Sequence, residues 1–146
     1  MKTVVSILNA SLPLHPHFHI HIDNQPFMPL VIEGIGTGPR GLPAISVAHY
    51  GLQNGDSMRD PEICFEVEVK DGQVIELYPY YWRNDYLGIE QFAVEEEGTD
   101  PKGNKLCHVD QKTIFGLCQL AAEWDRNLAA QRFDSAFMQR RNERSN

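Results

Sequence analysis

Residues 63–78 read ICFEVEVKDGQVIELY, two runs of alternating apolar and polar residues on either side of Lys70-Asp71-Gly72. The pattern is that of a β-hairpin. Its register decides which face of the sheet is buried, because a slip of one residue exchanges the two faces. A two-residue Asp-Gly loop pairs Val67 with Glu76 and mixes polar with apolar residues on both sides. A type I turn over Lys70-Asp71, with Gly72 as a left-handed bulge residue, shifts the pairing by one. Phe65, Val67, Val69, Ile75 and Leu77 then share one face, and Glu66, Glu68, Val74 and Glu76 share the other. Only the second register gives a single buried face, so the sequence predicts that register and a sheet with one wet side.

The surrounding sequence extends this sheet. PAISVAHYGLQ reads as a strand ending at the Asn54-Gly55 turn, MPLVIEGIG as another, and TGPRGLP (37–43) as the loop between them. HFHIHI alternates strictly and is predicted to hairpin through DNQP, while YLGIEQFAVEEE supplies one further strand and GTDPKGN a loop. From Asp110, a plausible N-cap, the period changes: Ile114, Leu117, Cys118, Ala121, Trp124 and Leu128 recur at three and four, the spacing of a helix with one apolar face. Phe133 and Phe137 continue it with a slipped stripe, as a separate docking segment. At the start, Val4, Val5, Leu8 and Leu12 lie on or near one face of a short amphipathic helix, and Ser6 and Asn9 break what would otherwise mimic a signal peptide. The expected fold is α+β: an antiparallel meander of five or six strands, a C-terminal helix packed on one face, and a short N-terminal helix. One domain is expected over residues 1–138, with 139–146 as a frayed basic tail.

Composition narrows the class of function. The chain has 146 residues, 42% of them hydrophobic, and no run approaching the roughly 18 apolar residues of a membrane span. Cys64, Cys107 and Cys118 are odd in number and lack CxxC spacing, so a disulfide framework is not expected and a cytoplasmic setting fits. The net charge of −7 is uneven. Gly41–Pro101 holds thirteen acidic residues against three basic ones, whereas the stretch from Arg126 onward holds five arginines against Asp134 and Glu143. An acidic body disfavours direct binding of nucleic acid there and leaves room for a basic partner.

Three clusters carry candidate chemistry. In HPHFHIHID, an extended strand points His15, His17, His19, His21 and Asp23 one way, with neighbouring imidazoles roughly 6–7 Å apart. His17, His19 and His21 are therefore candidate ligands for zinc or nickel, against the plainer reading of a solvated strand face. In HYGLQNGDSMRDPE (49–62), His49 is a candidate general base oriented by Asp56 or Asp60. The plainer reading, which we prefer, is a well-satisfied turn at Asn54-Gly55. The third cluster is aromatic: Tyr78, Tyr80, Tyr81, Trp82 and Tyr86 surround Arg83, the residue types that dominate interface hot spots. Pro79 cannot donate to a ladder, which predicts a sheet edge or strand end there. Cys118, on the apolar helix stripe, is expected to be buried. GIGTGPRG lacks the lysine and hydroxyl residue of a phosphate-binding loop.

The run FMPLVIEGIG … ISVAHYGLQNGDSMRDPEICFEV resembles a small bacterial family of unknown function, often carried on plasmids and integrative elements. The matching part covers about residues 27–95, and the resemblance implies an accessory protein of mobile DNA without assigning catalytic residues. The leading expectation is a non-enzymatic module without a cofactor. It would bind a protein partner through the aromatic segment (Tyr80, Tyr81, Trp82, Arg83, Tyr86) and the carboxylates Glu66, Glu68 and Glu76. The alternatives are a metal-dependent hydrolase built from the histidine strand with His49, Asp56 or Asp60, and a homodimer joined at the aromatic edge.

Overall fold

In a computed structural model describing residues 1–146, the chain runs α1 (Lys2–Ala10), β1 (His19–Asn24), β2 (Phe27–Thr37), β3 (Pro43–Gln53), β4 (Asp56–Lys70), β5 (Gln73–Asn84), β6 (Ile89–Phe92), β7 (Val94–Thr99), β8 (Lys105–Val109), α2 (Gln111–Ala130) and α3 (Phe133–Ser145). Strands β1 to β6 form one antiparallel meander in sequence order, and β7 and β8 pair separately. The fold is α+β with an N-terminal helix and C-terminal helices, as the hydrophobic pattern predicts.

The β4–β5 hairpin does not take the predicted register, although Val67 and Leu77 share the buried face as expected. Asp71 (φ 52°) and Gly72 (φ 74°) are both left-handed, the geometry of a two-residue type I′ turn. Lys70 accordingly faces Gln73, and Val69 faces Val74. A bulge then inserts one extra residue into β5, and beyond it Val67 faces Leu77 and Glu68 faces Glu76. The turn expected from the sequence is therefore corrected: Val74 lies in the core and Ile75 is exposed, while Val69 reaches past the covered area. The bulge absorbs the mixing of faces that argued against the two-residue turn.

One face of the sheet packs on all three helices. Val4, Ile7 and Leu8 of α1, Leu117, Ala121, Trp124 and Leu128 of α2, and Phe133 of α3 bury against sheet residues that include Ile32, Val47, Ile63, Phe65 and Val67. Phe65 is fully buried, so truncation to alanine is expected to cost about 3–5 kcal/mol. Asp110 caps α2 by accepting from the Thr113 amide at 3.1 Å, which holds its carboxyl below the usual range. Arg132, in the left-handed conformation (φ 61°), breaks the helix and starts α3 in a new direction.

Three further expectations are corrected. Residues 139–146 do not fray; α3 continues to Ser145, with Arg140 paired to Asp23. Cys118 is exposed, because the buried stripe of α2 runs through Leu117, Ala121, Trp124 and Leu128 and passes beside it. The single strand expected over YLGIEQFAVEEE is two strands. Ala93 is buried at the corner and its carbonyl accepts from Asp110, so β7 leaves the large sheet to pair with KLCHV, a strand with too little alternation to be recognised.

Candidate binding surface

The face of the sheet opposite the helices is organised in two cross-strand rows. One runs His19, Glu33, Ser46, Cys64, Tyr81, Phe92; the other runs His21, Val31, Ala48, Glu62, Arg83, Glu90. Residues so aligned have side chains in reach of one another across every strand pair. At the centre the polar groups pair off. The Ser46 hydroxyl donates to Glu62 at 2.6 Å, Arg59 lies 3.4 Å from the other Glu62 oxygen, and Arg83 donates to Asp85 at 2.5 Å. Burial pushes the Asp85 carboxyl up, but the Arg59 backbone amide and the Arg83 guanidinium outweigh it and hold the group below the usual carboxylate range. Burial pushes the Cys64 thiol up to about 12, so it stays protonated and is not poised as a nucleophile. Burial and the neighbouring Glu90 carboxylate push the Tyr81 phenol up to about 12, and its hydroxyl donates to Glu90 at 2.8 Å.

The structure redistributes the acidic and aromatic residues expected to form one surface. Glu66 is 0% exposed. The loop between β2 and β3 folds over it, and its carboxylate accepts from the amides of Arg40 (3.1 Å) and Leu42 (3.2 Å) and from the Arg40 guanidinium (3.2 Å). A Cβ on Gly38 would overlap the Glu66 side chain, so the loop closes only with glycine there. The wet side of the sheet is therefore interrupted at Glu66. Glu68 and Glu76 face each other near the hairpin tip, with the Tyr78 hydroxyl donating to Glu68. Tyr81 is buried and packs against Phe92 in a tilted pair, ring centroids 4.8 Å apart. Burial, foremost, also raises the half-buried Tyr80 phenol. Tyr86 is exposed, over Gly51. Residues 73–80 of β5 form an edge, as Pro79 implies, but residues 81–84 are covered by β6.

The catalytic alternative is not assembled. His49 is buried between Trp124 and Phe133, each ring centroid 5.4 Å away, and its Nδ1–H donates to the Pro29 carbonyl at 3.1 Å. Burial lowers its pKa, so the imidazole is neutral near pH 7. Asp56 pairs with Gln53 at the tip of the next hairpin, four residues along the strand from His49 and about 13 Å away by strand rise. Asp60 is close enough to influence His49 but accepts from Asn84 at 2.7 Å. The histidine strand is shorter than expected, since the Phe18 amide donates to the His15 carbonyl in a turn and β1 starts at His19. His19 and His21 stack at 6.4 Å and donate to Glu33 (2.7 Å) and Asp23 (2.9 Å). His17 stays in the preceding turn, and no three His, Cys, Asp or Glu side chains stand where they could hold one metal ion.

The surface left without a partner is the other rim of the sheet. All four residues of β6 are exposed, including Ile89 and Phe92, the latter 50% exposed. Between this strand and α2 lies a groove of about 480 Å³ bordered by Trp82, Gln91, Lys112, Gly116, Leu117 and Leu120. Trp82 is held at its wall by donating from Nε1 to Gln91 at 2.7 Å. Beside it Phe115 is 66% exposed. Carboxylates follow along the chain: Glu90 on β6, which accepts from Tyr81, then Glu95, Glu96 and Glu97 on β7, of which Glu96 pairs with Lys105 and Glu97 lies 3.8 Å from His108. Sequence reasoning placed Trp82 here but missed the free edge, because the break at Ala93 carries no turn residue.

This architecture defines a small α+β domain with one open sheet rim. The chain belongs to the family described as a domain of unknown function (DUF6908), which matches residues 2–134. No curated protein and no solved structure matches it. No helix is long and apolar enough to cross a membrane.

Proposed function

We propose that the chain is a non-enzymatic interaction module whose β6 rim and adjoining α2 groove receive an extended, basic segment of a partner protein. The observation that carries this reading is the exposed β6 strand, paired on one side only, with a groove walled by Trp82, Leu117 and Leu120 beside it and carboxylates in the chain that follows. Such an edge offers free backbone donors and acceptors to an incoming strand. Alternate side chains of that strand enter the groove over Trp82, Leu117 and Leu120, and the others meet Glu90 and Glu95–Glu97. The accessory role on mobile DNA implied by the sequence resemblance fits a partner that handles nucleic acid, since such proteins are basic. The same carboxylates oppose a homodimer at this rim, where two copies would bring like charges together.

Peptide display against the intact chain tests this, with Phe92→Lys protein as counter-selection. Sequences alternating apolar residues with lysine or arginine are expected to be enriched. The leading peptide is expected to lose at least about tenfold in affinity against Phe92→Lys and to weaken as salt rises. Enrichment of acidic peptides, or binding indifferent to Phe92, overturns the reading.

A further inference from the structure

On the opposite rim, the inward stripe of α3 changes character along its length. Phe137, Arg140, Arg141 and Arg144 fall at the i, i+3, i+4, i+7 spacing that places residues on one helix face. With His19, Ile20 and His21 of β1 they line a cleft of about 450 Å³. A helix that packs on an edge strand ordinarily presents apolar residues to it; α3 does so at Phe133, Ala136 and Phe137, and beyond them arginines border the cleft. Arg140 is neutralised, pairing with Asp23 and donating to the His21 carbonyl at 3.5 Å. Glu33 is taken up by His19. Arg141 and Arg144 are exposed and stand in no ion pair. They are three residues apart on the helix, a rise of about 4.5 Å, with the apolar surface of Phe137 and Ile20 beside them.

We infer that this cleft binds the phosphate backbone of a single-stranded nucleic acid. Guanidinium forks match phosphate oxygens, and the Phe137 and histidine rings beside them offer unstacked bases a surface to lie on, as a single strand has and a duplex does not. The acidic part of the molecule does not forbid it. The carboxylate rim at β6 lies five strand spacings away, about 24 Å, which is some three Debye lengths at physiological salt. The nearer carboxylates are engaged, Asp23 by Arg140, Glu33 by His19 and Glu143 by Gln139, which leaves Arg141 and Arg144 free at the cleft, separate from the surface proposed for the protein partner.

The test is fluorescence anisotropy of a labelled oligothymidylate titrated with the intact chain across a salt series. The two free arginines, Arg141 and Arg144, give an expected slope of log Kobs against log salt of about −1.4. The double variant Arg141→Glu/Arg144→Glu, both positions solvent-facing, is expected to keep its circular dichroism spectrum and lose at least about tenfold in affinity. Absence of binding at low salt, or binding that survives the double variant, overturns the proposal. Displacement of the oligonucleotide by inorganic phosphate at millimolar concentration also overturns it, in favour of a small phosphorylated ligand.

Discussion

The side chain of Asn9 takes the place of a neighbouring strand beside Val74. Its Nδ2 donates to the Val74 carbonyl at 2.9 Å, and its Oδ1 accepts from the Val74 amide at 2.8 Å. This is the double exchange that two antiparallel strands make, supplied by one residue of α1 to an otherwise free edge of β5. Asn9→Ala removes both bonds and is expected to cost about 2 kcal/mol in urea denaturation. Asn9→Asp keeps the acceptor, turns its second oxygen on the Val74 carbonyl, and is expected to destabilise as well. A variant within about 0.5 kcal/mol of wild type would show that the amide is not closing the edge.

Glu66 is a buried carboxylate satisfied by three donors from one loop. Glu66→Ala strands those donors and is expected to destabilise by about 3 kcal/mol. Arg40→Ala leaves both backbone amides in place and is expected to cost about 1 kcal/mol. Equal losses from the two would mean that the guanidinium, not the loop backbone, holds the carboxylate.

His49 makes stability depend on pH. Burial depresses its pKa below 6.5 in the folded chain, so the unfolded chain takes up the proton first. The contribution is complete above about pH 6.5 and is lost as pH falls from there towards the folded value, by at most about 1.4 kcal/mol per pH unit. Denaturation midpoints measured between about pH 5 and 7.5 should slope less in His49→Gln than in wild type. If the slopes coincide, other groups carry the acid sensitivity.

The three thiols should separate by reactivity. Cys118 is exposed, Cys107 is half-buried and donates to the Pro39 carbonyl, and Cys64 is buried with its thiol held protonated. An aromatic disulfide reagent is expected to label one thiol per chain quickly, and Cys118→Ser to abolish that phase. Cys64 should react only on unfolding. Rapid labelling of the folded Cys107→Ser/Cys118→Ser protein would contradict the burial of Cys64.

Much of the fold was legible because local chemistry and global packing agree. Strand PAISVAHYGLQ, the Asp110 cap and the stripe of α2 follow from period and capping alone. The hairpin turn was misread because periodicity reports which residues share a face but not where a bulge is placed; Asp71 and Gly72 suit either turn. Glu66 looked like a wet-face carboxylate since its neighbours alternate correctly. Its burial depends on the loop at Gly38–Leu42, whose Arg40 and Leu42 lie 26 and 24 residues upstream, beyond the reach of a local window. The binding surface was half-read for a similar reason: Trp82 and the carboxylates stand out by type, whereas the free strand beside them exists only because the chain turns a corner at Ala93.

The placement of charge on opposite rims of the sheet has a consequence for how solutions of the protein behave. With arginines on α3 beside β1 and carboxylates at β6 and the start of β7, each molecule carries unlike patches at its two rims despite its overall negative charge. Copies attract head to tail, and a contact between unlike patches does not close on itself. At low ionic strength light scattering should therefore report open-ended, concentration-dependent association, and ordinary physiological salt should disperse it.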